Sequence, residues 1–368
     1  MSTRLSTLIG FALCTLLLGA SAYSQSPPNA GAAFRASIPG PSYVLQKPAG
    51  RIEKITVHGA SLVGNLEGDS PDREVIIYLP PSYAKQPGRR YPVLYLLHGF
   101  TDTADLWFGQ SGPHFVLVPN AADQAYAHGA REMIIVMPDA FTKYAGSMYS
   151  DSVVTGNWDA FITHDLVTYI DSHYRTLARL ASRGLAGHSM GGYGTLRLAM
   201  KYPGIFSSVY AMSPCCLSSS LMPNPAVMAS AAQVQSSGDI AKASFGIKAM
   251  LAEAAAWSPD PRNPPSYFDL PVANGKPNPT VIAAWAANSP LAMVYQSIPN
   301  LKTYGAIAFD AGDRDTGIAD TVRSLDGTLT AFGVKHVEEI YAGNHVDHIQ
   351  QRLEMHVLPF FSEHLSFH

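Results

Sequence analysis

Short apolar runs alternate with amphipathic segments along most of the chain. Val93-Leu94-Tyr95-Leu96-Leu97 is apolar throughout and closed by His98-Gly99, the pattern of a strand buried on both faces. Met133–Met137 is a second such run, ended by Pro138, and Glu53–Val57 and Glu74–Leu79 read as earlier strands. Asp159–His173 follows with Phe161, Leu166, Val167 and Ile170 on one helical face. Arg183–Gly187 then reads as a strand, Ser189 as a tight glycine-flanked turn, and Tyr193–Lys201 as a helix stopped by Pro203. Further strands are expected at Phe206–Met212, Thr303–Phe309 and His336–Ile340, and a last helix at Val346–Phe361. This alternation predicts an α/β fold with a mostly parallel central sheet and helices on both faces.

One stretch breaks the rhythm. From about residue 217 to 289 no strand pattern emerges; an Ala-rich helix (Ile240–Trp257) precedes the Pro-dense segment Ser258–Pro279. An insertion this long between two sheet strands suggests a lid over a site. The other end of the chain carries different signals. Arg4, the apolar run Leu5–Leu18 and the small residues Ala20-Ser21-Ala22 read as a secretory signal peptide over 1–22, the run being short for a membrane anchor. Residues 23–48, rich in Pro, Gly, Ala and Ser, read as a flexible leader, which leaves 49–368 as one catalytic domain. A secreted or periplasmic location follows, with no stable membrane insertion after cleavage.

Composition narrows the function classes. The 368 residues are 47% hydrophobic and only 14% charged, with a net charge of −3 and no basic stripe, so nucleic acid is not an expected partner. Of the three cysteines, Cys14 leaves with the signal peptide. Cys215 and Cys216 lack zinc-ligand spacing and read as small buried residues, with a vicinal disulfide open to them in an oxidising compartment.

The chemistry lies in Gly187-His188-Ser189-Met190-Gly191. Gly-x-Ser-x-Gly on a strand-to-helix turn presents a serine hydroxyl at the sheet's carboxyl edge, where a base can activate it. Attack on an ester carbonyl also needs donors for the oxyanion. The N–H of Met190 at the helix start is one; the loop after Leu97 offers the other from Phe100, with Thr101 in reserve. In this fold class the acid and the base follow the serine in that order. Asp310, Asp313 and Asp315 compete as the acid, and Asp315, past the glycine turn, is favoured. His345, in the loop after the last strand, is favoured as base over His348 on the following helix. Metal ligation by His345, Asp347 and His348 is the weaker use of those residues, and His58, His114, His128 and His368 are expected to be solvated. Trp107, Phe108, Trp257, Tyr267, Phe268 and Trp285 are aromatic residues available to a substrate pocket, packing being their ordinary role.

Taken together, Tyr91-Pro92-Val93-Leu94-Tyr95-Leu96-Leu97-His98-Gly99, Gly187-His188-Ser189-Met190-Gly191-Gly192, Asp310-Ala311-Gly312 with Asp315, and Gly343-Asn344-His345 carry a resemblance over about residues 51–365. The chain resembles the esterase family of α/β-hydrolases that includes esterase D, feruloyl and acetyl-xylan esterases, enterochelin esterases and mycolyl transferases. The resemblance implies an α/β-hydrolase fold, no cofactor, Ser189, Asp315 and His345 as triad, and Phe100 and Met190 as the oxyanion hole. It implies a small-molecule or polysaccharide-linked ester as substrate, feruloyl and acetyl esters among them. Acyl transfer by the same triad is the alternative, and a non-catalytic binding protein on the same scaffold a third. The segment after Cys216 departs from the family pattern, and there the substrate choice would be set.

Overall fold

The computed structural model describes residues 40–218, 225–234, 237–273 and 275–368. The expected signal peptide, and the leader up to residue 39, lie outside these residues. Eight strands build the central sheet: β1 (Arg51–His58), β2 (Asp72–Leu79), β3 (Val93–Leu97), β4 (Ile134–Pro138), β5 (Arg183–His188), β6 (Ser208–Met212), β7 (Ala306–Gly312) and β8 (Val337–Tyr341). Their spatial order is β1-β2-β4-β3-β5-β6-β7-β8. β1 pairs antiparallel with β2, and β2 antiparallel with β4; every later pairing is parallel. This is the α/β-hydrolase arrangement expected from the sequence.

Alternate residues on each strand enter different cores, as a two-residue period requires. Val75, Ile77, Val93, Tyr95, Leu97, Leu185 and Phe309 face one layer. That layer contains Phe161 and Ile162, α1 (Leu166–His173), α2 (Met190–Lys201), α4 (Pro290–Leu301) and α5 (Thr316–Ala331). Ile76, Tyr78, Leu94, Leu96, Ala186 and Ala308 face the other, against Trp107, the helix Val118–Ala127 and the C-terminal helices up to Phe361. With both faces covered, β3 and β4 are apolar throughout, which is why their runs stand out in the sequence.

The described part of the insertion holds the helices Pro225–Ala231, Ser237–Lys242, α3 (Phe245–Trp257) and Pro279–Ala287, and between the last two a non-helical stretch with a ribbon pairing Val272–Ala273 with Lys276–Pro277. The single helix expected over Ile240–Trp257 is two, because Ser244 adopts an extended conformation (φ −64°, ψ 161°) and starts a new one. The insertion rests firmly on the body. Ser152 Oγ donates to Ala255 O at 2.6 Å, Trp257 Nε1 to Ser150 Oγ at 3.3 Å, and Tyr193 Oη to Asn288 O at 2.9 Å. Trp257, Phe268 and Trp285 are buried there as core residues. Cys215 and Cys216 are free thiols. Residues 40–48, read from sequence as part of a flexible leader, lie along the body: Tyr43 and His114 exchange backbone hydrogen bonds of 2.8 and 3.1 Å.

Candidate active site

The sheet's carboxyl edge gathers the residues singled out by sequence. Ser189 stands between β5 and α2 with φ 56° and ψ −115°, a conformation strained for a residue with a Cβ. Its N–H donates to Met212 O at 3.0 Å, and its carbonyl accepts from Tyr193 N at 2.9 Å and Cys215 N at 3.2 Å. The glycines permit the turn by close approach. A Cβ on Gly187 would lie 2.3 Å from Gly191 O, and one on Gly191 would lie 2.0 Å from Leu97 O. The helix starts at Met190 rather than at Tyr193, its glycines being tolerated for these contacts.

His345 Nε2 lies 2.9 Å from Ser189 Oγ, and its Nδ1 lies 2.6 Å from Asp315 Oδ2. Both side chains are about one-fifth exposed. Asp315 occupies the N-cap position of α5 but makes no side-chain capping bond, so its carboxylate serves the imidazole instead of its own helix. The rival carboxylates have other partners. Asp310 is fully buried, accepting from Arg352 Nε at 2.8 Å and Tyr210 Oη at 2.9 Å. Burial raises its pKa, and the charge of Arg352 opposes that shift. Asp313 Oδ1 accepts from Gly343 N at 3.0 Å, tying its loop to the one that bears His345. His348 stands at the start of the following helix, beside Asp347. Asp347 bonds Asn344 N and Arg314, so His345, Asp347 and His348 do not converge on a common ion position.

The loop after β3 approaches from the other side. His98 Nε2 accepts from Ala140 N at 2.8 Å, which leaves its Nδ1–H to donate to Gly99 O at 2.9 Å. Thr101 N donates to Ala145 O at 2.9 Å, so the reserve oxyanion donor is already engaged. Met190 is the first residue of its helix, where an N–H has no partner in a preceding turn. The side chains of Phe100 and Met190 both pack over Gly146: a Cβ there would lie 2.6 Å from Phe100 Cδ2 and 2.7 Å from Met190 Sδ.

Sequence reasoning missed three features of this site. His188 is buried, donates from Nε2 to the His345 carbonyl at 2.9 Å, and meets the His345 ring at a tilt, 4.8 Å between centroids. Desolvation, with a contribution from the neighbouring His345, lowers its pKa to about 3, so it stays neutral. His114, expected to be solvated, is buried, with Nδ1 3.1 Å from Val116 O and Nε2 3.2 Å from Asp102 Oδ1; only the fold brings that acid to it. His58 and His128 are exposed as expected. Above Ser189 lies a cleft of about 180 Å³ walled by Phe100, Phe115, Phe245, Pro41, Pro113 and Val346. Phe245 comes from the insertion and meets Phe100 edge-on at 5.4 Å, whereas Trp107 and Phe108 are buried in the core beneath.

Comparison with known proteins agrees with this architecture. The family model Esterase, described as “Putative esterase”, matches residues 70–356. Esterase Rv1288 of Mycobacterium tuberculosis is 35% identical over 140 residues, 38% of this chain and 28% of that protein. The match therefore spans little more than a quarter of the curated relative's length. Among solved structures, a ferulic acid esterase superposes with a TM-score of 0.59 at 22% identity, covering 86% of this chain and 99% of its own. An S-formylglutathione hydrolase from Agrobacterium tumefaciens gives 0.55 at 16% identity, covering 89% and 99%. At such identities the structural likeness concerns the fold.

Proposed function

Because the chain belongs to the esterase family, we propose that it is a secreted or periplasmic serine carboxylesterase with Ser189, His345 and Asp315 as its catalytic triad. The observation that carries this reading is the unbroken chain of contacts from Ser189 Oγ through His345 to Asp315, 2.9 and 2.6 Å long, at a strained elbow. Ser189 Oγ attacks the ester carbonyl while His345 Nε2 takes its proton. Asp315 holds Nδ1–H and stabilises the imidazolium that forms. The tetrahedral oxyanion is received by the N–H groups of Phe100 and Met190, the second at a helix N-terminus whose dipole favours negative charge. His345 then protonates the leaving alkoxide, and water, activated by the same imidazole, releases the acid. No cofactor is needed for any of these steps.

The aromatic walls of the cleft favour a flat or short substrate over a long flexible chain. Feruloyl and acetyl esters of plant polysaccharide, or small carboxylic esters generally, are the substrates we infer. A ferulic acid esterase among the similar folds supports the first of these. Ser189→Ala is expected to abolish turnover of p-nitrophenyl esters and labelling by a fluorophosphonate probe. Full activity in that variant would refute the assignment. A rate comparison across acetyl, butyryl, octanoyl and feruloyl esters then fixes the acyl preference. Dominant ester product with an added alcohol acceptor would reassign the enzyme to acyl transfer.

A further inference from the structure

We propose that residues 40–46 act as a specificity strap that limits the size of the alcohol moiety admitted to the cleft, an inference that rests on the roles of Ser189 and His345 above. Gly40, Pro41 and Ser42 line the cleft together with Phe100, Ser189 and His345. They precede the stretch matched by the family model, and they belong to none of the sheet's strands. The strap is nevertheless held at several points. Tyr43 exchanges two backbone hydrogen bonds with His114, whose ring reaches Asp102 at 3.2 Å beside the cleft. Asn120 clamps the next residues, its Oδ1 accepting from Gln46 N at 3.1 Å and its Nδ2 donating to Val44 O at 3.0 Å. Leu45 sits over Gly109, where a Cβ would approach it to 2.8 Å.

The strap's position relative to the chemistry assigns its role. A Cβ on Gly40 would lie 2.9 Å from Val346 Cγ2, so the strap abuts the residue that follows His345. His345 must deliver a proton to the departing alkoxide, and the alcohol portion of the ester therefore lies on the His345 side of Ser189. The strap walls that side. A larger alcohol must displace it, at the cost of the Asn120 and Tyr43 contacts.

The test uses the full chain and two ester series, one with acetyl fixed and the alcohol enlarged from methyl through phenyl to naphthyl, the other with the alcohol fixed and the acyl group lengthened. Ser42→Trp, which adds bulk to the strap, is expected to lower kcat/KM for naphthyl acetate roughly ten-fold more than for methyl acetate. Asn120→Ala, which removes two strap anchors away from the site, is expected to raise the naphthyl-to-methyl ratio several-fold with the methyl acetate rate unchanged. Fluorophosphonate labelling of Ser189 should persist in Asn120→Ala, and the acyl series should keep its wild-type profile in both variants. Unchanged alcohol ratios in the labelled variants, or a shift confined to the acyl series, would overturn the strap's role. Should Ser42→Trp fail to fold, the Asn120→Ala ratio decides alone. Wild-type protein that neither takes the probe nor cleaves any ester would instead overturn the esterase reading, and the strap proposal with it.

Discussion

Two aspartates five residues apart, Asp310 and Asp315, are expected to fail in opposite ways when each is changed to Asn. Asp315 holds Nδ1 of His345 at 2.6 Å and is partly exposed. Asp315→Asn keeps the shape but no longer holds the Nδ1–H tautomer, so kcat should fall by about 10³–10⁴, or about 4–5.5 kcal/mol of transition-state stabilisation. The melting temperature should move little, because the group bears on no buried charge. Asp310 is fully buried against Arg352 and Tyr210. Asp310→Asn leaves the Arg352 guanidinium without its innermost counter-charge, although Glu339 still contacts it at 2.8 Å. Breaking a buried pair from one side costs about 3–5 kcal/mol, and the remaining Glu339 contact argues for the lower figure of about 3. In a domain this large that lowers Tm by about 6 °C. Below the transition, kcat should stay within about ten-fold of wild type, since Asp310 touches none of the reacting groups. Thermal unfolding and p-nitrophenyl acetate kinetics on the two purified variants make the measurement. An inactive Asp310→Asn with unchanged Tm, alongside an active Asp315→Asn, would refute the assignment of the acid.

The remaining predictions concern the elbow, the histidine beneath it and a half-buried acid. Gly191→Ala puts a methyl 2.0 Å from Leu97 O, a backbone contact that cannot yield cheaply, so a loss of about 3 kcal/mol or more, or no folded protein, is expected; wild-type Tm would contradict the close approach. His188→Ala removes the donor to the His345 carbonyl and should lower kcat by about ten-fold through misplacement of the imidazole, with little change in fluorophosphonate-accessible fold. A kcat equal to wild type would show that other contacts suffice to hold that loop. Burial raises the Glu253 carboxyl to about 7 from an ordinary 4.5. The native state then binds more protons than the unfolded chain between those values, so its contribution to stability is full below pH 4.5 and is lost as pH rises through 7. Glu253→Gln should therefore stabilise the protein at pH 8 by about 2 kcal/mol, after allowance for partial exposure, and not at pH 4; equal Tm changes at both values would count against this titration.

The sheet was largely legible because β3 and β4 are buried on both faces and spell continuous apolar runs. Val93–Leu97 was read to the residue. Boundaries slipped where tertiary contacts override local pattern. The strand expected over Thr303–Phe309 runs from Ala306 to Gly312, because Asp310, a polar residue at the expected strand end, is paired inside the sheet by Arg352 from a distant helix. The helix expected from Tyr193 begins at Met190, since its glycines, poor helix formers, are needed for contact with β3 and β5. Ser189, His345 and Asp315 were named from motif and order, and the structure brings them into contact. His114 was misjudged because a lone histidine carries no sign of a buried partner, and Phe115 and Phe245 were passed over because no periodicity marks a pocket wall.

Strand order explains why the site needs more than three residues. β5, which precedes Ser189, and β8, which precedes His345, are separated by β6 and β7 in the sheet. Three strand spacings amount to about 14 Å, more than an imidazole can span from the end of β8. The loop after β8 must therefore turn back across β7 and β6, and its contacts do this stepwise. Arg314 N donates to Gly343 O at 2.9 Å and Gly343 N to Asp313 Oδ1 at 3.0 Å, which fasten the loop over the end of β7. Gly312 lets the two loops touch, a Cβ there falling 2.4 Å from Gly343 O. His188, the last residue of β5, then draws the His345 carbonyl to itself at 2.9 Å. The x positions of Gly-x-Ser-x-Gly thus acquire physical meaning in this chain: Met190 begins the helix, with its backbone N–H at the position proposed for the oxyanion, and His188 reaches across the sheet edge to hold the His345 loop beside Ser189.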